Sequence, residues 1–96
     1  MRAAALRIEI RLPDRHSLKE KRSGLRPIIE GLRRLASLSV AEVDHHDSWQ
    51  RASIGVSAVA ADSAQLERLL ESVKRFVDDL VEVEVVEMSV SYWEES

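Results

Sequence analysis

Apolar residues alternate along residues 3–12, with Leu6, Ile8, Ile10 and Leu12 on one parity and Arg7, Glu9 and Arg11 on the other. A period of two is that of a strand with one buried face. Pro13-Asp14 ends it. From Leu18 the spacing becomes helical: Leu18, Leu25, Ile28, Ile29, Leu32, Leu35 and Ala36 share one face. Ser17 and Glu20 form a capping box ahead of it, in which each side chain satisfies the other residue's free backbone N–H. Pro27 lies inside this helix, removes a backbone hydrogen bond, and predicts a kink near Ser23 to Arg26. Gly24 and Gly31 fall on one flank and permit close approach of a neighbouring element. Lys19, Arg22, Arg26 and Arg33 make a basic stripe on the other.

Alternation returns in residues 38–44 and 51–61, joined by a polar loop over residues 45–50. In the longer run Ala52, Ile54, Val56 and Ala58 share a parity, and the opposite parity is mostly small: Ser53, Gly55, Ser57 and Val59. Asp62 followed by Gln65 reads as a second N-cap. The helix after it carries an unbroken stripe of Leu66, Leu69, Leu70, Val73, Phe76, Val77 and Leu80. Residues 82–93 form a last strand whose apolar parity shifts at Val85-Val86, which predicts a bulge or a strand apolar on both faces.

The order βαββαβ, right-handed crossovers and one shared core predict a single ferredoxin-like α+β domain spanning residues 1–96. Its four-stranded antiparallel sheet has spatial order 4-1-3-2, with both helices on one face. In that topology the first strand-to-helix turn and the hairpin between the second and third strands share one edge. Only the third strand separates the first from the second, a gap of ~10 Å.

Composition narrows the class. The 96 residues are 45% hydrophobic, enough for a core of their own. The chain has no cysteine, which excludes disulfides and thiolate metal sites. Residues 1–7 carry charge too early for a signal peptide, and no stretch approaches the ~20 apolar residues of a membrane span. A cytoplasmic protein with no membrane partner is expected. The net charge of −3 conceals a polarity, with +6 on residues 1–34 and −9 on residues 35–96. Such asymmetry suits an anionic partner at one face.

Candidate chemistry sits in two polar clusters brought to the same edge. The first supplies His16, Lys19, Lys21, Arg22 and Arg26; the second supplies His45, His46, Asp47, Trp49, Gln50 and Arg51. Basic residues near a helix start meet phosphates readily but oppose the helix dipole. Lys21 falls inside the apolar face between Leu18 and Leu25, either snorkelling over the sheet edge or pointing toward the hairpin and a ligand. Trp49 either stacks on a base or partner or packs across the sheet end. Arg51 is placed to pair with Asp47 or Asp44. Adjacent His45 and His46 point to opposite faces of a strand, so at most one joins His16 around a metal, with Asp44 or Asp47 as the remaining donor. No catalytic residue, cofactor or metal site is assigned. The open sheet face offers Arg7, Glu9, Arg11, Ser53, Gly55 and Ser57 and so lacks the aromatic platform of RNA-recognition domains. Its small residues, with Val59 and Val85, suit a second subunit's sheet. Tyr92 and Trp93 either join that contact or close the core.

The stretch from Leu12 to Arg22, with its Pro13-Asp14-Arg15-His16-Ser17-Leu18-Lys19-Glu20-Lys21 run, and the stretch from Val40 to Ala52, with Asp44-His45-His46-Asp47-Ser48-Trp49-Gln50-Arg51, resemble the two signatures of the YlxP-like family. This is a small bacterial domain of unknown function, and Ile54-Gly55-Val56 continues the likeness. The resemblance implies a ferredoxin-like fold and, through gene neighbourhood, a link to translation initiation and ribosome maturation. It brings no catalytic residue. Ser48 departs from the apolar residue the family carries there, and His45 and His46 are paired where the family has one His.

The expected function is a non-enzymatic binding module for structured RNA or a ribosomal particle. Lys19, Lys21, Arg22 and Arg26 would contact phosphates while Trp49, Gln50 and Arg51 orient the partner. The alternative is a homodimeric protein-interaction adaptor joined through the open sheet face. A metal-dependent enzyme ranks third.

Overall fold

The predicted elements form in the predicted order: β1 (Arg2–Arg11), α1 (Leu18–Leu35), β2 (Ser39–Asp44), β3 (Arg51–Ala60), α2 (Ser63–Asp78) and β4 (Glu84–Glu94). The structure is a computed structural model describing residues 1–95; Ser96, the last residue of the expected domain, lies outside the described residues. All strand pairs are antiparallel, and the sheet order is β2-β3-β1-β4. This is the ferredoxin-like α+β arrangement.

Register follows from which parity each strand must bury. Leu6, Ile8 and Ile10 of β1 stand opposite Val56, Ile54 and Ala52 of β3, and all six are buried beneath the helices. A one-residue slip would turn each of them to the open face. The parity shift at Val85-Val86 is a bulge: Glu9 pairs with Glu87 and Ile10 with Val85, leaving Val86 as the extra residue. The bulge returns Val85 to the helix-facing side, so it does not add to the open face as its sequence position implied. A second irregularity skips Val43 between Glu42 and Asp44 of β2.

Both helices start at a side-chain cap. Ser17 Oγ accepts from the Glu20 N–H at 3.1 Å, and Asp62 accepts from the Gln65 N–H at 2.9 Å. The reciprocal half of the first box is shifted by one residue, since Glu20 Oε2 accepts from the His16 N–H at 3.3 Å. α1 is unbroken through Pro27. Ser23, whose carbonyl Pro27 cannot bond, is exposed, so the lost hydrogen bond falls on the wet side. Leu25, Ile28 and Leu32 are buried, while Leu35 at the end of α1 is exposed. Gly31 lets α2 come close: a Cβ there would lie 2.5 Å from the Phe76 ring.

The helices are displaced toward one side of the sheet. α1 packs on β2, α2 packs on β3 and β1, and neither makes more than a marginal contact with β4. As a result Val90 and Tyr92 on the helix-facing side of β4 remain 37% and 70% exposed. Trp93 is exposed on the other side, so neither aromatic closes the core.

Candidate functional site

The two polar clusters meet at the edge where β1 gives way to α1. The Leu12 N–H donates to the Gln50 carbonyl at 2.8 Å, and the Gln50 side-chain amide donates to the Pro13 and Arg15 carbonyls at 3.2 and 3.1 Å. Gln50 therefore staples the hairpin to the β1–α1 turn. Ser48 Oγ accepts from the Gln50 and Arg51 N–H groups at 3.4 and 3.1 Å and shapes the return of the loop. The polar residue at Ser48 thus has a turn role in place of a packing one. His45 sits at φ 62°, in the left-handed region, and begins the turn.

Lys21 is the residue whose placement most changes the picture. It is 1% exposed, among the largest fully buried side chains of the chain. Its ammonium donates to the His45 carbonyl at 2.6 Å and lies 2.8 Å from Glu42 Oε2. Buried lysines persist when paired, and this one links α1 to β2 and to the hairpin. Glu42 Oε2 receives no hydrogen bond of good angle, so the contact is an ion pair held by proximity. Lys21 points toward the hairpin, as one reading of its sequence position held, but protein groups occupy its ammonium.

Lys19, Arg22 and Arg26 are placed differently. They line an exposed groove of about 640 Å³ along α1 with Pro27, Glu30 and Arg34. Among the described residues none of the three forms an ion pair, whereas Arg34 pairs with Glu30 at 3.5 Å. Arg33, the last of the stripe, donates to the Val40 carbonyl at 2.8 Å.

A second polar group lies on the open face of the sheet, one strand in from the hairpin. Arg7 reaches Glu9 at 2.6 Å and Asp44 at 3.0 Å, and the buried Ser53 hydroxyl donates to Glu9 Oε2 at 2.6 Å. Hydrogen bonds from Ser53 and then Arg7 hold the Glu9 carboxyl below the usual range. The His45 backbone N–H, followed by the charge of His45 and the Arg7 contact, does the same for Asp44. Glu9 in turn raises the Arg7 guanidinium. Asp44 is thus engaged by Arg7, and Arg51 makes no ion pair with Asp44 or Asp47 among the described residues. Arg51 instead stands opposite Arg11 across the sheet, two like charges side by side, with Arg11 reaching Glu84 at 3.4 Å.

The histidines do not converge. His46 Nε2 lies 3.1 Å from the Glu42 carbonyl, His45 Nε2 lies 3.9 Å from Glu9, and His16 is exposed at the start of α1. Among the described residues no three His, Asp or Glu side chains are grouped as metal donors. Trp49 is 52% exposed and Asp47 is exposed, so the hairpin tip is presented to solvent. Sequence reasoning missed the Arg7–Glu9–Ser53–Asp44 group. The shared parity of Arg7, Glu9 and Ser53 was its available signal, because opposed residues of neighbouring strands share a face.

The chain is thus a ferredoxin-like plait whose two polar signatures meet at one sheet edge. Residues 3–90 match the family described as "Protein of unknown function (DUF503)". The chain is 38% identical over 71 residues to the "Uncharacterized protein YlxP" of Bacillus subtilis (strain 168), across 74% of this chain and 77% of that protein. It belongs to this YlxP-like family of unknown function. Among solved structures it is similar to the "De novo designed protein Foldit4", with a TM-score of 0.54 and 18% identity over 98% of this chain and 99% of that one. That likeness speaks to the fold alone.

Proposed function

We propose that the chain is a non-enzymatic cytoplasmic binding module that contacts the phosphate backbone of structured RNA, in translation or ribosome maturation, through the exposed flank of α1. The observation that carries this reading is how the cations are used. Of the fourteen Lys and Arg, six sit in ion pairs among the described residues: Arg2, Arg7, Arg11, Lys21, Arg34 and Arg75. Arg33 is committed to a backbone carbonyl. Of the remaining seven, Lys19, Arg22 and Arg26 line one groove, and Arg15 and Arg51 flank the adjoining turn and hairpin. Unpaired cations grouped along one helix flank favour a polyanion. Among the described residues no helix is long and apolar enough to cross a membrane.

With three phosphate contacts, raising salt from 50 to 200 mM weakens binding by ~40-fold, because each contact releases counterion. The test is ribosome-profile fractionation at low and high salt, alongside binding to a structured RNA, with Lys19→Glu, Arg22→Glu and Arg26→Glu combined. All three residues are exposed, so the triple variant keeps its thermal midpoint within a few degrees while losing association. Association that survives charge reversal removes the reading.

The adaptor alternative, a homodimer through the open sheet face, draws support from Val59 and Trp93, which flank Ala3 at one end of that face. Sheet-on-sheet contact would also bury the Arg7–Glu9–Asp44 group, a desolvation cost that favours the RNA reading.

A further inference from the structure

The two edges of the sheet are finished in opposite ways. β2 has six residues, and two of its backbone carbonyls are occupied by side chains: Val40 accepts from Arg33, and Glu42 is met by His46. Its irregularity at Val43 further disrupts a regular ladder. These are the devices that keep a strand edge from pairing with another chain. β4 has eleven residues, at most a marginal contact with the helices, and exposed Val86, Val90, Tyr92 and Trp93.

The outward backbone groups of β4 can be identified. The Glu95 N–H donates to the Met1 carbonyl, and Arg2 stands opposite Glu94. By antiparallel alternation the odd residues Ser89, Ser91 and Trp93 bond to β1. Met88, Val90 and Tyr92 therefore turn their N–H and C=O groups outward. The same three residues place their side chains on the helix-facing side, opposite Ile8, Leu6 and Ala4. Backbone valence and apolar side chains are thus offered together at one edge.

We infer that β4 pairs antiparallel with β4 of a second copy about a two-fold axis through Val90, forming a continuous eight-stranded sheet. In this register Val90 meets the partner's Val90 and Met88 meets the partner's Tyr92, and each pair exchanges backbone hydrogen bonds. Glu87 falls opposite the partner's Trp93. An axis through Ser89 would oppose Glu84 to the partner's Glu94, and one through Ser91 would oppose Glu87 to the partner's Glu95. The Val90 register avoids both clashes. Arg2 and Arg11 from β1 also pair with Glu94 and Glu84 at 2.9 and 3.4 Å, which lowers the charge of an otherwise acidic edge. A second copy fits this edge because the strand is complementary to itself. The inference is independent of RNA binding.

The chain has no cysteine, so single substitutions report geometry directly. A hydrogen-bonded antiparallel pair holds its Cα atoms ~5.5 Å apart, within the range a disulfide spans. Val90→Cys is expected to cross-link to a dimer under mild oxidation, while Val59→Cys on the open face stays monomeric on a denaturing gel. Sedimentation of the wild-type chain is expected at twice the chain mass. Val90→Lys sets two ammonium groups face to face on the axis and raises the dimer dissociation constant by roughly 100-fold or more. A wild-type chain that stays monomeric at high micromolar concentration overturns the inference. So does a dimer that Val59→Cys locks and Val90→Cys does not. Because Val→Cys is a mild change at an edge, the cross-link decides the matter even if Val90→Lys fails to fold.

Discussion

Replacing Lys21 by Met isolates the contact that ties α1 to the hairpin. The methionine keeps most of the apolar stem volume, so the loss is that of the ammonium. Two contacts go: the ion pair with Glu42 at 2.8 Å and the hydrogen bond to the His45 carbonyl at 2.6 Å. Breaking a fully buried pair from one side costs about 3–5 kcal/mol, whereas an exposed pair is worth at most ~1 kcal/mol. Lys21 is 2% exposed by side chain and Glu42 is 20% exposed, so the abandoned carboxylate retains some water and the cost falls between those bounds. Adding about 1 kcal/mol for the orphaned carbonyl gives an expected loss of roughly 2–4 kcal/mol. Urea unfolding followed by far-ultraviolet circular dichroism measures it, and the midpoint should fall by about 2 M at unchanged slope. Adding Glu42→Gln removes the stranded charge, so the double variant should recover about 1–2 kcal/mol of the loss. A Lys21→Met chain that loses less than ~0.5 kcal/mol, or a double variant whose costs simply add, would refute the structural role argued for this lysine. A stable Lys21→Met chain with weakened RNA retention would instead return Lys21 to the binding surface.

Other expectations concern packing and pH. Gly31→Ala drives a methyl to within 2.5 Å of the Phe76 ring. Overpacking of ~1–3 kcal/mol should outweigh the ~1 kcal/mol of helix propensity gained, lowering the thermal midpoint. Gly24→Ala first meets the guanidinium end of the Arg15 side chain, at 3.0 Å, which can swing aside, and should be neutral or stabilising, a contrast that one pair of thermal melts resolves. Glu9 and Asp44 both have carboxyls held below their ordinary values of 4.5 and 3.8. Their contribution is therefore complete above those values and is lost as pH falls through the lower folded-state pKa. Unfolding free energy measured from pH 6 down to pH 2 should decline in that window, and Glu9→Gln should flatten the decline. An equally steep curve for Glu9→Gln would show that the Arg7–Glu9–Ser53 group is not coupled to folding.

Elements written in local periodicity were legible in the sequence, and contacts that depend on register were not. Alternation and caps locate every strand and helix, and the parity shift at Val85-Val86 marks its bulge to the residue. Topology alone brings the two signatures together. The Arg7–Asp44 contact spans 37 positions and requires the skip at Val43, which sets Asp44 opposite Ser53 and within reach of Arg7. Arg51, expected to pair with Asp47 or Asp44, pairs with neither among the described residues, and the skip turns Asp44 toward Arg7 instead. Lys21 was visible as a rule broken on a helical wheel, and its partner was not. Glu42 lies on a strand whose position relative to α1 is set by tertiary packing. The shift of both helices away from β4 likewise leaves no trace in any single element's pattern.

That shift links the proposed RNA contact to the proposed assembly. α1 stands over β2, the edge farthest from β4, so pairing through β4 places the two copies of α1 near opposite ends of one sheet. A two-fold axis normal to the sheet keeps both helix layers on the same side. With strands ~4.8 Å apart, the two β2 edges of an eight-stranded sheet are separated by about 34 Å. The two basic flanks would then lie on the same side of the sheet, turned 180° from each other by the two-fold, and a folded RNA long enough to reach both would gain from effective concentration without any new contact. A short RNA would engage one flank and feel no such gain. The proposed assembly would reconcile the chain's acidic pI with its unpaired cations. On the proposed reading one copy would offer too few phosphate contacts to hold nucleic acid indiscriminately, while two copies at fixed spacing would favour a partner of the matching length.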